Sequence, residues 1–111
     1  MARRQINNLK WVAKLCKLGE AINPDTDRVE MGYPIVRDIR YNNIGITSQD
    51  KYFSKQDGQE IVKKVEVRID RDIEENQKDY RIEIKGRMYN ISRIYVREAD
   101  RVMEVSLSYA D

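Results

Sequence analysis

Apolar and polar residues alternate along most of the chain that follows Gly58. The alternation is clear in four segments: 61–70, 80–85, 87–95 and 103–109. Successive side chains of a β-strand point to opposite faces, so each segment predicts a strand with one buried and one solvated face. Gly86 lies in a tight turn between the second and third segments, which therefore predict a β-hairpin.

Two strands are also predicted before Gly58. Residues 35–42 alternate in the same way and contain β-branched and aromatic side chains. Residues 11–22 fit both a helical and an extended pattern, and we favour a strand because Gly19 and a turn-rich run end the segment. Trp11, at the start of this strand, is predicted to be a core residue.

The segment 23–34 is predicted to be one long loop. It contains two prolines, a glycine and an Asp-Thr-Asp tripeptide, a composition that opposes both a helix and a central strand. A short extended piece is expected around 29–31. Asp25, Asp27 and Glu30 offer oxygen ligands, but the spacing of a calcium-binding loop is absent, so an ordinary polar turn is predicted.

A short helix is predicted at residues 48–57. Thr47 or Ser48 can accept the amide protons of its first turn, and the positive end of the helix dipole favours the carboxylate of Asp50. Gly58 can end the helix in the left-handed conformation. A helix this short needs tertiary contacts, and an aromatic pair is expected to anchor it to the fold: Tyr52 and Phe53.

Residues 1–10 are polar and basic and are predicted to form a flexible arm that orders only on a partner. Four residues in or beside the arm are candidates for docking: Arg3, Arg4, Lys10 and Trp11. The chain, 1–111, is predicted to be a single domain with its core in 35–109. Five or six antiparallel strands with one short helix predict a mainly β fold. A small barrel or a compact sandwich is expected, because one open sheet would leave two edge strands with unpaired backbone groups.

The amino-acid composition argues against several classes of function. The 111 residues include 21 basic and 19 acidic side chains, for a net charge of +2, which is too balanced to make nucleic-acid binding the default. There is no histidine and one cysteine, Cys16, so the commonest general base is missing and no intrachain disulfide can form. We therefore predict no enzyme activity, no cofactor and no metal, and a packing role for Cys16.

No apolar run approaches the length needed to cross a bilayer, so no membrane association is predicted. The missing secretion signal and the single cysteine indicate synthesis in a reducing cytoplasm.

The order of elements after residue 37 resembles that of phage head-tail joining proteins, which include head-closure (stopper), connector and adaptor proteins. The likeness lies in a strand and short helix over 44–58, then Asp79-Tyr80-Arg81-Ile82, then a hairpin over 85–91 that continues into Ser92-Arg93-Ile94-Tyr95. A last strand follows, so the resemblance covers roughly residues 37–109. The first 36 residues depart from the pattern.

The resemblance implies a structural virion protein at the head-tail interface of a bacterial virus, made in the host cytoplasm. Copies would form a ring, expected to be a dodecamer, between a portal or adaptor protein on the head side and a tail-completion or tail-terminator protein on the tail side. Packaged DNA would lie in the channel without sequence recognition.

We further expect the loop at 23–34 to project into this channel and to help retain DNA. Its carboxylates would repel phosphates, which suits a channel to which DNA must not stick. Its gating residues would be Asn23, Pro24, Asp25, Thr26, Asp27, Glu30, Gly32 and Tyr33.

A second class of function stays open, a small barrel that binds single-stranded nucleic acid. The basic start of the chain could contact phosphates, and Trp11 could stack on a base. The near-neutral charge of the whole chain argues against this alternative.

Overall fold

The structure is a computed structural model that describes residues 9–48, 50–51 and 60–110. Within them the chain forms eight β-strands: β1 (Trp11–Lys17), β2 (Gly19–Asn23), β3 (Arg28–Gly32), β4 (Ile35–Ile44), β5 (Lys63–Arg68), β6 (Tyr80–Ile84), β7 (Arg87–Arg97) and β8 (Val102–Tyr109). The strands predicted from alternation are confirmed, and the segment predicted as strand over 11–22 is divided at Leu18 into β1 and β2.

Six of these strands close into an antiparallel barrel in the order β1-β4-β5-β8-β7-β6. The prediction of a mainly β fold is confirmed, and of its two forms the barrel is the one observed. The predicted core at 35–109 is too narrow, because β1 is hydrogen-bonded to both β4 and β6 and completes the closed sheet.

The interior of the barrel is apolar. Inward-facing side chains come from every barrel strand, and the most deeply buried include Leu15, Val65, Ile82, Met103, Val105 and Leu107. The predicted turn at Gly86 is confirmed, since Lys85 and Gly86 both have positive φ and connect β6 to β7. Two consecutive positive φ angles match the twist of adjacent antiparallel strands, which favours this short connection.

A short helix, α1 (Arg71–Glu75), and a 3-10 turn (Gln77–Asp79) connect β5 to β6. The carboxylate of Asp70 caps α1 by accepting hydrogen bonds from the backbone N–H groups of Asp72 and Ile73. Ile73 is fully buried and belongs to the barrel core. Sequence analysis missed α1 because five residues are too few to show a helical period.

The helix predicted at 48–57 begins where expected. Ser48, Asp50 and Lys51 are helical. The Thr47 hydroxyl accepts from the Asp50 backbone N–H at 3.2 Å, and the Asp50 carboxylate accepts from the Thr47 N–H at 2.8 Å. This reciprocal arrangement is a capping box. The predicted anchors and helix end lie outside the described residues: Tyr52, Phe53 and Gly58.

The boundary of the predicted basic arm needs correction. Leu9 is buried, and the Lys10 backbone N–H donates to the Asn42 side-chain oxygen at 3.1 Å. These two residues therefore pack against the barrel. Residues 1–8, with Arg3 and Arg4, lie outside the described part of the chain.

The prediction of a single loop over 23–34 is wrong. β2 and β3 pair with each other as a hairpin, and the Asn23 carbonyl accepts from the N–H groups of Thr26 and Asp27 in the turn between them. Pro24 lies in that turn and Pro34 follows β3, so neither proline interrupts the ladder. β3 includes the short extended piece expected around 29–31, and β2 falls mostly within the strand predicted over 11–22, but their pairing as a hairpin was not predicted.

The outer face of β5 and β8 is not solvated as predicted. Glu66 is 1% exposed, because Arg97 on β7 reaches across β8 to within 3.6 Å of its carboxylate. Lys64 pairs with Asp50 at 2.9 Å and with Glu104 at 3.2 Å. Burial opposes the charge on Lys64, but its hydrogen bonds to the two carboxylates prevail and raise its pKa.

We expect Lys64→Met to destabilise the protein by about 3 kcal/mol, because the largely buried Asp50 would lose its cation and Glu104 would keep only Arg97. The free energy of unfolding in urea is the measurement. Lys14→Met is the matched control: its ion pair with Asp38 is solvent-exposed, and its loss should leave stability nearly unchanged. Equal losses in the two variants would contradict a structural role for the buried ion pairs.

Candidate interaction surface

The β2-β3 hairpin stands apart from the barrel sheet. Its register runs from Gly19 opposite Gly32 to Asn23 opposite Arg28, and among the described residues it forms a separate two-stranded sheet. Backbone hydrogen bonds hold its base, from Leu18 N–H to the Asp79 carbonyl at 2.7 Å and from Lys17 N–H to the Pro34 carbonyl at 3.2 Å. We call residues 19–32 the acidic hairpin.

One face of the acidic hairpin is apolar and exposed. Ile22 lies opposite Val29, and Glu20 lies opposite Met31, so these four side chains share a face. Ile22, Val29 and Met31 are 68%, 60% and 65% exposed. Isolated two-stranded hairpins are marginally stable in water, and contiguous exposed apolar residues mark interaction sites. This face is therefore the leading candidate for a protein contact.

The other face is polar near the turn and carries small residues near the base. The Asn23 side-chain amide donates to the Glu30 carboxylate at 3.1 Å, and the Asn23 side-chain oxygen accepts from the Asp25 backbone N–H at 2.9 Å. These hydrogen bonds hold the turn in one conformation, so they also keep β2 and β3, which carry the apolar face, in register. Gly19, Ala21 and Gly32 make the base narrow.

The residues predicted to gate a channel fall on or beside this hairpin. Asn23, Glu30 and Gly32 are strand residues; Pro24, Asp25, Thr26 and Asp27 form its exposed turn. Tyr33 lies at the base, where the Arg81 guanidinium stacks 3.9 Å from its ring centre. Gating itself stays a prediction, and an exposed apolar face suits contact with protein better than the lining of a hydrated channel.

Sequence analysis missed Ile22, Val29 and Met31. The alternation of Arg28, Val29, Glu30 and Met31 was a signal for a strand, but residues 19–23, which pair with it, show no such alternation. The proline and glycine content of the segment outweighed that signal. Among the described residues, no group of three or more His, Cys, Asp or Glu side chains could hold a metal ion.

A second surface lies on the barrel wall. A groove of about 530 Å³ is lined by Leu9, Arg37, Asp38, Ile39, Arg40, Arg68, Ile69 and Asp70. Arg37 pairs with Asp70, whereas Arg40 and Arg68 make no ion pair with any described residue. We call this the basic groove. Two of its three arginines, Arg40 and Arg68, thus have no ion partner in the described part of the chain, whereas the charges around Lys64 and Glu66 are paired.

Trp11 is 52% exposed, so its prediction as a core residue is wrong. β6 pairs with β1 only from Lys14 to Lys17, which leaves the Trp11 ring beyond the neighbouring strand. The Lys85 ammonium lies 5.8 Å from the centre of that ring. Of the four candidate docking residues, the structure thus describes Lys10 and Trp11, and both are exposed.

Cys16 and Tyr80 are buried ionisable groups with a packing role. Cys16 is completely buried, and burial raises the pKa of its thiol. The Tyr80 hydroxyl donates to the Asp72 carboxylate, which raises the pKa of Tyr80 to about 12. A neutral thiol and a neutral phenol at these positions are compatible with their apolar surroundings.

No helix in the described part of the chain is long and apolar enough to span a membrane. No protein-family model matches the sequence, and a comparison with curated proteins finds no similar chain. The resemblance of residues 37–109 to head-tail joining proteins therefore stays a prediction.

We expect the double substitution Ile22→Ser with Val29→Ser to change the free energy of unfolding by no more than about 0.5 kcal/mol, because both side chains are already in water. Leu107→Ala, in the barrel core, should cost about 2–5 kcal/mol. Urea denaturation followed by circular dichroism measures both. A core-like loss in the hairpin variant would show that its apolar face is packed as part of the fold.

Proposed function

We propose that this chain is a structural virion protein that joins the DNA-filled head of a tailed phage to its tail. Copies form a ring that closes the channel and docks the tail. The observation that carries the proposal is the combination of a closed barrel with one projecting hairpin whose apolar face is exposed.

Among the described residues, each barrel strand is paired with a strand on both sides over much of its length, so the barrel offers little edge for pairing with another chain. Contacts with other proteins must then use side chains or the hairpin. A head-to-tail contact that closes by rotation generates a ring, and repetition around the ring strengthens an individually weak contact. This arrangement suits a protein that assembles on a preformed partner.

Two local features support the resemblance on which the proposal also rests. The capping box of Thr47 and Asp50 begins a helix after β4, and the turn at Gly86 connects β6 to β7. Both belong to the run of elements that resembles head-tail joining proteins. The partners would be a portal or adaptor protein on one side and a tail-completion or tail-terminator protein on the other.

Disruption of the gene in the phage that carries it should yield heads and tails that fail to join, with loss of infectivity restored by the intact gene in trans. Electron microscopy of the lysate and a plaque assay give the two measurements. The chain itself should be found in purified wild-type virions by mass spectrometry. Normal tailed, infectious particles without the chain would refute the proposal.

The exposed ring of Trp11 favours one second candidate, a module that binds single-stranded nucleic acid. A base could stack on this ring while Lys10 and Lys85 contact phosphates. Such binding would weaken steeply with salt.

Under the ring proposal, a fluorescent oligonucleotide should show no anisotropy change that depends on Trp11. Wild type and Trp11→Ala are compared at low and physiological salt, with Tyr95→Ala as the control for an exposed aromatic elsewhere. Tight, salt-sensitive binding that only Trp11→Ala abolishes would favour the nucleic-acid module instead.

A further inference from the structure

We propose that the acidic hairpin of one subunit docks its apolar face on the basic groove of a second copy of this chain. The contact is head-to-tail, so each subunit gives its hairpin to one neighbour and its groove to the other. Its place in a ring rests on the proposed function, but the contact itself rests on the charges and exposed side chains of this chain.

The acidic hairpin is negatively charged, whereas the rest of the chain is positively charged. It has four carboxylates, of Glu20, Asp25, Asp27 and Glu30, against the single cation of Arg28. The hairpin therefore has a net charge of −3 within a chain of net charge +2, and the rest of the chain has +5. Opposite charge on two parts of one subunit favours head-to-tail contact between copies.

The basic groove has exposed cations that can pair with the carboxylates of the hairpin. Arg40 and Arg68 are exposed at its rim and form no ion pair with described residues. Val12, directly opposite Arg40 on the neighbouring strand, is 50% exposed, and Val36 on β4 is also exposed. Val12, Val36 and Arg40 thus lie on the outer wall of β1 and β4, where Val12 and Val36 are outside the groove lining and the carboxylate of Asp38 is paired with Lys14.

The same charges oppose the pairing of two hairpins. Face-to-face docking of identical hairpins would bring Glu20 and the turn carboxylates of both copies together. Like charges in close contact are unfavourable, more so in a desolvated interface. The hairpin is therefore assigned to the groove of a neighbour. Three apolar side chains make a small contact, so isolated subunits should associate weakly and ring closure should strengthen the assembly.

Disulfide trapping between two single-site variants tests the contact. Ile22→Cys subunits and Val12→Cys subunits, distinguished by a size tag, are mixed at high concentration and low salt and then oxidised mildly; Val12 lies opposite Arg40, so the cation is kept. The native Cys16 is fully buried and does not compete. The mixed dimer should form about tenfold faster than with Tyr95→Cys replacing Ile22→Cys, and salt should slow it.

Two results would overturn the proposal. Predominant disulfides between Ile22→Cys subunits would show that hairpins pair with each other. Mixed dimers no faster than the Tyr95→Cys control would show that the hairpin does not meet the groove. Circular dichroism of each variant establishes that it is folded, which the exposure of all three side chains leads us to expect.

Charge reversal gives an independent readout in the chain without added cysteines. Glu20→Lys should weaken self-association about tenfold in sedimentation equilibrium, and Arg40→Glu should do the same. Mixing the two variants should restore association, because the reversed charges again attract. Failure of the mixture to associate more strongly than either variant would contradict the assigned pair of surfaces.

These measurements are separable from the test of the proposed function. A chain absent from virions that still forms the hairpin-to-groove disulfide would refute the phage role and support the contact. A chain present in virions and needed for tail joining, but without that disulfide, would support the role and refute the contact.

Discussion

Four residue pairs, from Lys14 with Glu83 to Lys17 with Tyr80, join β1 to β6 and close the sheet. Without this pairing both strands would have unpaired backbone N–H and C=O groups along one edge, and water would reach the apolar interior on that side. Closure also determines where the hairpin begins, because β2 continues from the end of β1 after Leu18. The barrel and the projecting hairpin are thus consequences of the same strand pairing.

The interior of the barrel is filled by apolar side chains, whereas its outer surface has two parts that differ in how their charges are paired. Over β5 and β8, ion pairs of Lys64 and Arg97 with neighbouring carboxylates cover the sheet and bury Glu66. Over β1 and β4, Val12, Val36 and Arg40 are exposed, and Arg40 has no ion partner among the described residues. One side is internally neutralised, and the other has charge and apolar surface that a partner can satisfy.

The functional proposal follows from how these surfaces limit association. The closed barrel offers little strand edge for pairing, and the charges on the wall of β5 and β8 are paired within the subunit. The hairpin and the basic groove remain as surfaces of opposite charge. A head-to-tail contact between identical subunits produces closed symmetric assemblies when its rotation permits. The proposed role in joining phage heads to tails would give such an assembly a biological setting.

The sequence by itself determined the elements whose cause is local. Alternation over 103–109 gave β8, the turn at Gly86 gave the β6-β7 hairpin, and the threonine-aspartate pair at 47 and 50 gave the helix start. The mainly β class followed from these, since each depends only on neighbouring residues. The acidic turn at the candidate site and the extended piece around 29–31 were also predicted, although the pairing of β2 with β3 was not.

Tertiary structure alone decided the features that depend on distant partners. Membership of β1 in the barrel depends on β6, and the exposure of Trp11 depends on where β6 ends. Burial of Glu66 needs an arginine 31 positions away, and α1 is stabilised by placing Ile73 in the core. The apolar face of the hairpin became recognisable only when Ile22 and Val29 were seen side by side and uncovered, because a strand pattern alone does not reveal whether its apolar face is buried.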